Sequence, residues 1–172
     1  MGKGRSVRLG LVADLHGRFD PLLPKVLRQA ERIVVAGDIV DEAVLARLGS
    51  IAPLDAVRGN NDHSPGLRIL PEFLELEAGG ARILVAHDRK DPRLPRELAR
   101  RRPLILVVGH SHQPLLRRDG PLLVVNPGSA GPKRFHLPRT AGVLVLSPTR
   151  EPRIELWDLE RDAPFPLSLS KD

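Results

Sequence analysis

A chain of 172 residues with a net charge of +6 and no cysteine is long enough to bury roughly two thirds of the surface its unfolded form would expose, and we expect a single domain over residues 1–172. The missing thiols exclude disulfide frameworks, thiolate zinc sites and cysteine nucleophiles, leave N and O donors for any metal, and fit a reducing, cytoplasmic setting. No run approaches the roughly 18 apolar residues of a membrane span, and MGKGRSVRLG leads into a strand-like stretch without a signal-peptide core.

In chain order, short runs rich in Val, Ile and Leu predict strands at 7–13, 32–36, 55–58, 82–86 and 104–108. Helical patterning lies between them. Residues 20–31 open on Asp20 as a cap with Pro21 at the first helical position. Residues 41–49 end at Gly49, and 91–102 alternate acid and base as an exposed helix does. The N-terminal half therefore reads as βαβαβ with a parallel core. After 112 the pattern turns to hairpins: 114–118 with 121–126 about Asp119-Gly120, then 140–147 with 153–159 about PTREP. These are expected as antiparallel partners for a second sheet, which makes an α/β sandwich. The segment from Asp162 lacks periodicity, which leaves it loose or packed locally.

The polar residues that follow the five strands form a pattern when set side by side. They are Asp14-Leu15-His16-Gly17, Gly37-Asp38, Gly59-Asn60-Asn61-Asp62, His87-Asp88 and Gly109-His110-Ser111-His112. Strand C-terminal ends are where ligands bind in open α/β sheets, and four of the six histidines lie at these exits. Each piece alone is an ordinary turn or cap. Together Asp14, His16, Asp38, Asn60, His87, His110 and His112 are too many donors for one tetrahedral ion and suit two ions sharing a carboxylate, with Asp38 the natural bridge. Paired cations of this kind activate water against a phosphate ester.

These motifs, in this order and with these gaps, resemble the calcineurin-like metallophosphoesterases. The short chain, Arg58-Gly59-Asn60 and Asn126-Pro127-Gly128-Ser129 resemble their small bacterial and archaeal phosphodiesterase branch, related to the retromer scaffold subunit. The likeness covers residues 7–147. It implies a four-layer αββα sandwich of two mixed β-sheets flanked by helices. It also implies two divalent ions, manganese foremost with Fe, Zn, Ni or Co as substitutes, one held by Asp14, His16, Asp38 and His112, the other by Asp38, Asn60, His87 and His110. The implied activity is phosphodiester hydrolysis through a metal-bridging hydroxide. The alternatives are a catalytically weak scaffold of the retromer type, or a phosphomonoesterase or nuclease. The expected substrate is a small phosphodiester or nucleotide, and a homodimer is plausible. Arg100–Arg102 and Arg117–Arg118 bring nucleic acid into view, but four Phe, one Trp and no Tyr supply few stacking platforms, so that partner is not favoured.

The sequence departs from the family pattern in two places. Asn61 stands where many relatives have a His that protonates the leaving alkoxide, and an amide cannot supply that proton. Within this loop Asn60, Asp62 and His63 are the expected catalytic residues, His63 being the candidate acid. His87-Asp88-Arg89 replaces the branch's His-Gly-His, with Arg89 or Lys90 as candidates to reach the substrate phosphate. Arg58 is either a phosphate clamp or half of a local ion pair. Asn126 and Ser129 are expected to cap backbone near the site, and His136 to lie in a loop on the cleft rim.

Overall fold

The computed structural model describes residues 5–171. The chain runs β1 (Val7–Val12), α1 (Leu23–Leu27), β2 (Arg32–Val35), α2 (Glu42–Gly49), β3 (Leu54–Ala56), α3 (Pro65–Arg68), β4 (Phe73–Ala78), β5 (Ala81–Ala86), α4 (Leu94–Arg101), β6 (Ile105–Val107), β7 (Leu115–Asp119), β8 (Leu122–Asn126), β9 (Thr140–Ser147), β10 (Arg150–Asp158), β11 (Ala163–Phe165) and β12 (Ser170–Lys171). Two six-stranded mixed sheets result, ordered β11-β10-β9-β1-β2-β3 and β12-β7-β8-β6-β5-β4. Among the described residues no helix is long and apolar enough to cross a membrane.

Side-chain alternation along the strands generates the layers. Leu9, Leu11, Val34, Ile83, Val85, Ile105 and Val107 meet between the sheets. Their neighbours Val12, Ile33 and Val35 pack under α1 and α2, while Leu84, Leu106 and Val108 pack against α4. Because both faces are covered, these strands read as unbroken apolar runs instead of alternating ones. Each fully buried Leu, such as Leu11, contributes about 1.5–3 kcal/mol. The order helix, sheet, sheet, helix is the expected αββα sandwich.

Several local expectations change. The helix expected over 20–31 shrinks to Leu23–Leu27 with Leu22 as an uncapped N-cap. Asp20 still caps the turn that leads into it, its Oδ1 accepting the Leu22 N–H at 2.9 Å, and its Oδ2 pairs with buried Arg139 at 2.5 Å. The helix expected over 91–102 begins at Leu94, after a turn in which Asp91 accepts the Arg93 N–H at 2.8 Å. The strand Phe73–Ala78, not anticipated, pairs antiparallel with β5 at the sheet edge. Its FLELEA pattern is the period-2 alternation of a strand with one solvated face.

The two hairpins also part company. β7–β8 joins the second sheet, with β8 parallel to β6. β9–β10 instead extends the first sheet through antiparallel pairing of β9 with β1. The C-terminal segment packs locally only at its start: β11 adds to β10, whereas β12 crosses to the second sheet and pairs parallel with β7.

Candidate metal centre

Three strand ends of the first sheet and two of the second meet at one edge of the sandwich. β1 leads to Asp14 and His16, β2 to Asp38, β3 to Asn60, β5 to His87, and β6 to His110 and His112. Backbone bonds tie the exits together: Asp14 N–H to Gly37 O at 3.0 Å, His16 N–H to Asp38 O at 2.9 Å, and Gly109 N–H to His87 O at 2.9 Å. Asp14, His16, Asp38, His110 and His112 all have left-handed backbone, with φ between 45° and 66°. Each such non-glycine residue costs about 1–2 kcal/mol, and strain of this kind gathers where side chains must be aimed for function. The flanking glycines have a steric reason. Gly37 has φ +84°, and a Cβ there would lie 2.6 Å from His87 Nδ1, while a Cβ on Gly59 would strike the Asp38 backbone.

The donor atoms fall into two neighbouring sets. In the first, His16 Nε2 lies 3.3 Å from His112 Nε2 and 3.6 Å from Asp38 Oδ2, and His112 Nε2 lies 3.6 Å from Asp14 Oδ1. In the second, Asn60 Oδ1 lies 3.0 Å from both His87 Nε2 and His110 Nδ1, His110 Nδ1 is 3.3 Å from His87 Nε2, and His87 Nε2 is 3.4 Å from Asp38 Oδ1. Bonds of about 2.0–2.2 Å place neighbouring donors about 3.0–3.4 Å apart around one cation, close to these spacings. Asp38 turns one oxygen to each set. Asp14 also borders both, since its carboxylate clusters with His16 and His112 and with Asp38 and His87.

The electrostatics fit a cation. Asp14 Oδ2 and His112 Nδ1 are buried without hydrogen-bond partners, an arrangement that is costly unless something else satisfies it. Burial pushes the Asp14 carboxyl up to about 7 despite nearby His87. Burial also opposes ionisation of Asp38, but His87 and the Asn61 donors hold its carboxyl well below the usual range. Burial, helped by the Arg134 charge, pulls His112 down to about 4, and burial likewise lowers His16. Imidazoles kept neutral retain a lone pair for a metal. For His87 burial works downward, but the Asp38 contact outweighs it and raises the ring. The 2.8 Å contact of His87 Nδ1 with Ala36 O makes Nδ1 the donor and leaves Nε2 facing the cluster. Neutral imidazole, carboxylate and amide oxygen suit a borderline or hard divalent ion.

Other expected residues take different places. Asn61 donates from its backbone N–H and from Nδ2 to Asp38, at 2.9 and 2.7 Å. The carboxylate of Asp62 is spent on backbone, accepting from Ile39, Val40 and Gly59, each at 2.7 Å, so it braces the Asp38 and Asn60 loops against each other. Its expected place among the catalytic residues gains no support from this orientation. His63 is exposed and lines a cleft of about 660 Å³ beside Asn60, His87 and His110. Arg58 lines it too, but is held by Glu72 at 2.7 Å and by Arg68 O at 3.1 Å, the ion-pair alternative. Lys90 borders this cleft, whereas Arg89 borders a separate hollow with His110, Ser111 and Gln113.

Asn126 donates to Gly109 O at 2.9 Å and to Ser111 Oγ at 3.1 Å, and Ser129 donates to Asp14 O at 3.0 Å. Both therefore support the ligand loops, as expected. His136 is exposed in the loop before β9. The residue not anticipated is Arg134, whose Nη2 lies 3.3 Å from His16 Nε2. Only the basic character of GPKRFHLPR hinted at it. In the arginine clusters, Arg100 and Arg101 pair with Glu97, and Arg118 with Glu151, as a solvated surface would.

Comparison with known proteins agrees with this geometry. The model of the calcineurin-like phosphoesterase superfamily domain matches residues 7–149. A probable metallophosphoesterase of Methanocaldococcus jannaschii is 30% identical over 135 residues, 73% of this chain and 69% of that protein. Vacuolar protein sorting 29 from Cryptosporidium parvum superimposes with a TM-score of 0.79 at 20% identity, covering 93% of this chain and 95% of the other. An archaeal phosphodiesterase does so with a TM-score of 0.66 at 21% identity, covering 87% and 99%. With the fold, the strand-end donors and a family match over most of its length, the chain belongs to the calcineurin-like phosphoesterase superfamily.

Proposed function

We propose that this protein is a dinuclear-metal-dependent phosphodiesterase acting on a small phosphodiester or nucleotide. The observation that carries this reading is the division of Asp38, whose Oδ2 faces His16 and Oδ1 faces His87 at 3.6 and 3.4 Å. One carboxylate thereby serves two donor sets. Asp14, His16, Asp38 and His112 would hold one ion, and Asp38, Asn60, His87 and His110 the other, with manganese the expected metal and Fe, Zn, Ni or Co as substitutes. When bound, the ions supply a lowered water pKa and positive charge toward the phosphoryl oxygens.

The chain's own groups orient the reaction. Asn61 fixes the Asp38 carboxylate, the Ala36 carbonyl fixes the His87 ring, and the Asp62 brace fixes both loops. The exposed ring of His63 on the cleft is the candidate proton donor to the leaving oxygen. With an amide at 61 the chemistry favours good leaving groups such as phenolates. That same substitution supports a second reading, a catalytically weak scaffold, and the likeness in fold to vacuolar protein sorting 29 is compatible with it.

Adding manganese back to metal-stripped protein distinguishes the two. Hydrolysis of bis-p-nitrophenyl phosphate is the expected result, and no turnover with any divalent ion would favour the scaffold.

A further inference from the structure

Arg134 sits where no structural role accounts for it. It lies in the loop joining β8 to β9, and that loop is anchored. Buried Arg139 donates to Gly131 O at 2.5 Å, to Ala130 O at 3.1 Å and to the Asp20 carboxylate at 2.5 Å. Lys133 is held by both oxygens of Glu160 at 3.0 Å. At Gly131 a Cβ would strike the Asp14 and Leu15 carbonyls, so the loop crosses directly over the Asp14–His16 turn. The Leu137 N–H returns to Arg134 O at 3.1 Å and closes a turn around the residue. This chain of contacts anchors the loop that carries Arg134, an exposed residue whose guanidinium reaches His16.

Its partner there is unusual. Of the four cations that line the cleft, Arg58 is paired with Glu72 and Arg93 with Asp91 and Glu72, while Arg68 and Lys90 line it without touching the donor cluster. Among the described residues no carboxylate pairs with Arg134, and its hydrogen-bond partner is His16 Nε2. A lone pair on that nitrogen can serve the guanidinium or a cation, but not both. Once His16 is committed to an ion, Arg134 loses that acceptor, while its loop stays anchored through Lys133 and Arg139. A guanidinium beside a metal, short of an acceptor, is matched by an anionic tetrahedral oxyanion that also faces the ion, because its fork of N–H donors fits two oxygens of a phosphate.

We propose that Arg134 binds the non-bridging oxygens of the phosphoryl group, acting as the phosphate clamp at the first ion in place of the sequence candidates Arg58, Arg89 and Lys90. The proposal rests on the dinuclear reading, since it takes His16 as a ligand. The clamp is substrate-binding, with the charge carried to the site by an anchored loop, and it selects for an anionic phosphoester over a neutral ester.

The test uses the full chain loaded with manganese, and variants Arg134→Ala and Arg134→Lys. Ion content is measured by elemental analysis, fold by circular dichroism, and affinity for inorganic phosphate by titration calorimetry. The wild type is expected to hold two ions and bind phosphate. Arg134→Ala is expected to keep both ions and its fold but to weaken phosphate binding about 10- to 100-fold, the size of a charged hydrogen-bonded contact. Arg134→Lys should recover part of the loss, keeping charge without the fork. Phosphate affinity within about twofold of wild type in the Ala variant overturns the clamp, since no charged contact would then have been lost. So does loss of an ion, which would make Arg134 a support for His16. A wild-type chain that fails to take up two ions overturns the dinuclear reading itself, a result visible before any variant is compared.

Discussion

Replacing Asp62 by Ala separates a bracing role from a chemical one. The carboxylate is 2% exposed and accepts three backbone N–H groups, from Ile39, Val40 and Gly59, each at 2.7 Å. Bonds of this kind to a charged acceptor contribute about 1.5–3 kcal/mol each, and a buried donor left unpaired bears its full desolvation cost. Two of the three donors are buried. The third belongs to Val40, which is 41% exposed, and regains water when the acceptor is removed. The expected loss is therefore about 3–6 kcal/mol. In a protein of this size it lowers the melting temperature by about 6–24 °C at about 2–4 °C per kcal/mol. Asp62→Asn should fall between the two, because its oxygen can still serve Ile39 and Val40 while its amide meets the Gly59 N–H donor to donor. Thermal unfolding followed by circular dichroism reads this directly. A melting temperature within about 2 °C of wild type, together with a large fall in turnover, would refute the bracing argument and return Asp62 to the chemistry.

Three further outcomes follow from the site. Asp38→Ala should remove both ions while leaving the protein folded, and two ions per chain by elemental analysis would contradict its shared position. In Gly37→Ala a Cβ at 2.6 Å from His87 Nδ1 should displace the ring, so we expect the ion of the His87 set to be lost and that of the His16 set kept; full occupancy of both would show that the loop gives way. With His63→Ala, alkyl phosphodiesters should slow at least about tenfold more than nitrophenyl esters, as general-acid loss demands. Equal effects on both substrates would discard the proton-donor role.

The sandwich and the donor set were legible in the amino-acid order for a physical reason. Strands buried on both faces, such as β2, β5 and β6, are apolar runs whose ends are visible, and polar residues gathered just beyond such ends have few purposes in a core. Elements that depend on partners distant in sequence were less visible. The β9–β10 hairpin carries the same local pattern whether it joins one sheet or the other, and pairing with β1 assigns it to the first. The second oxygen of the Asp20 carboxylate is taken by Arg139, 119 residues away, a partner that no local pattern reveals.

Side-chain allegiance divides in the same way. From the sequence, Arg58, Arg89 and Lys90 stand out as phosphate candidates, Arg134 is one basic residue of GPKRFHLPR, and Asp62 is one more acid in a motif. Only the tertiary structure ties Arg58 to Glu72, turns both Asp62 oxygens onto backbone and lays the loop before β9 across the Asp14 turn, bringing Arg134 within 3.3 Å of His16. The residue types and their order determined that a cluster of N and O donors would gather at the strand ends. Long-range packing decided which charges are neutralised and which face the cluster, because a charge takes its role from the partners that folding brings within hydrogen-bond reach.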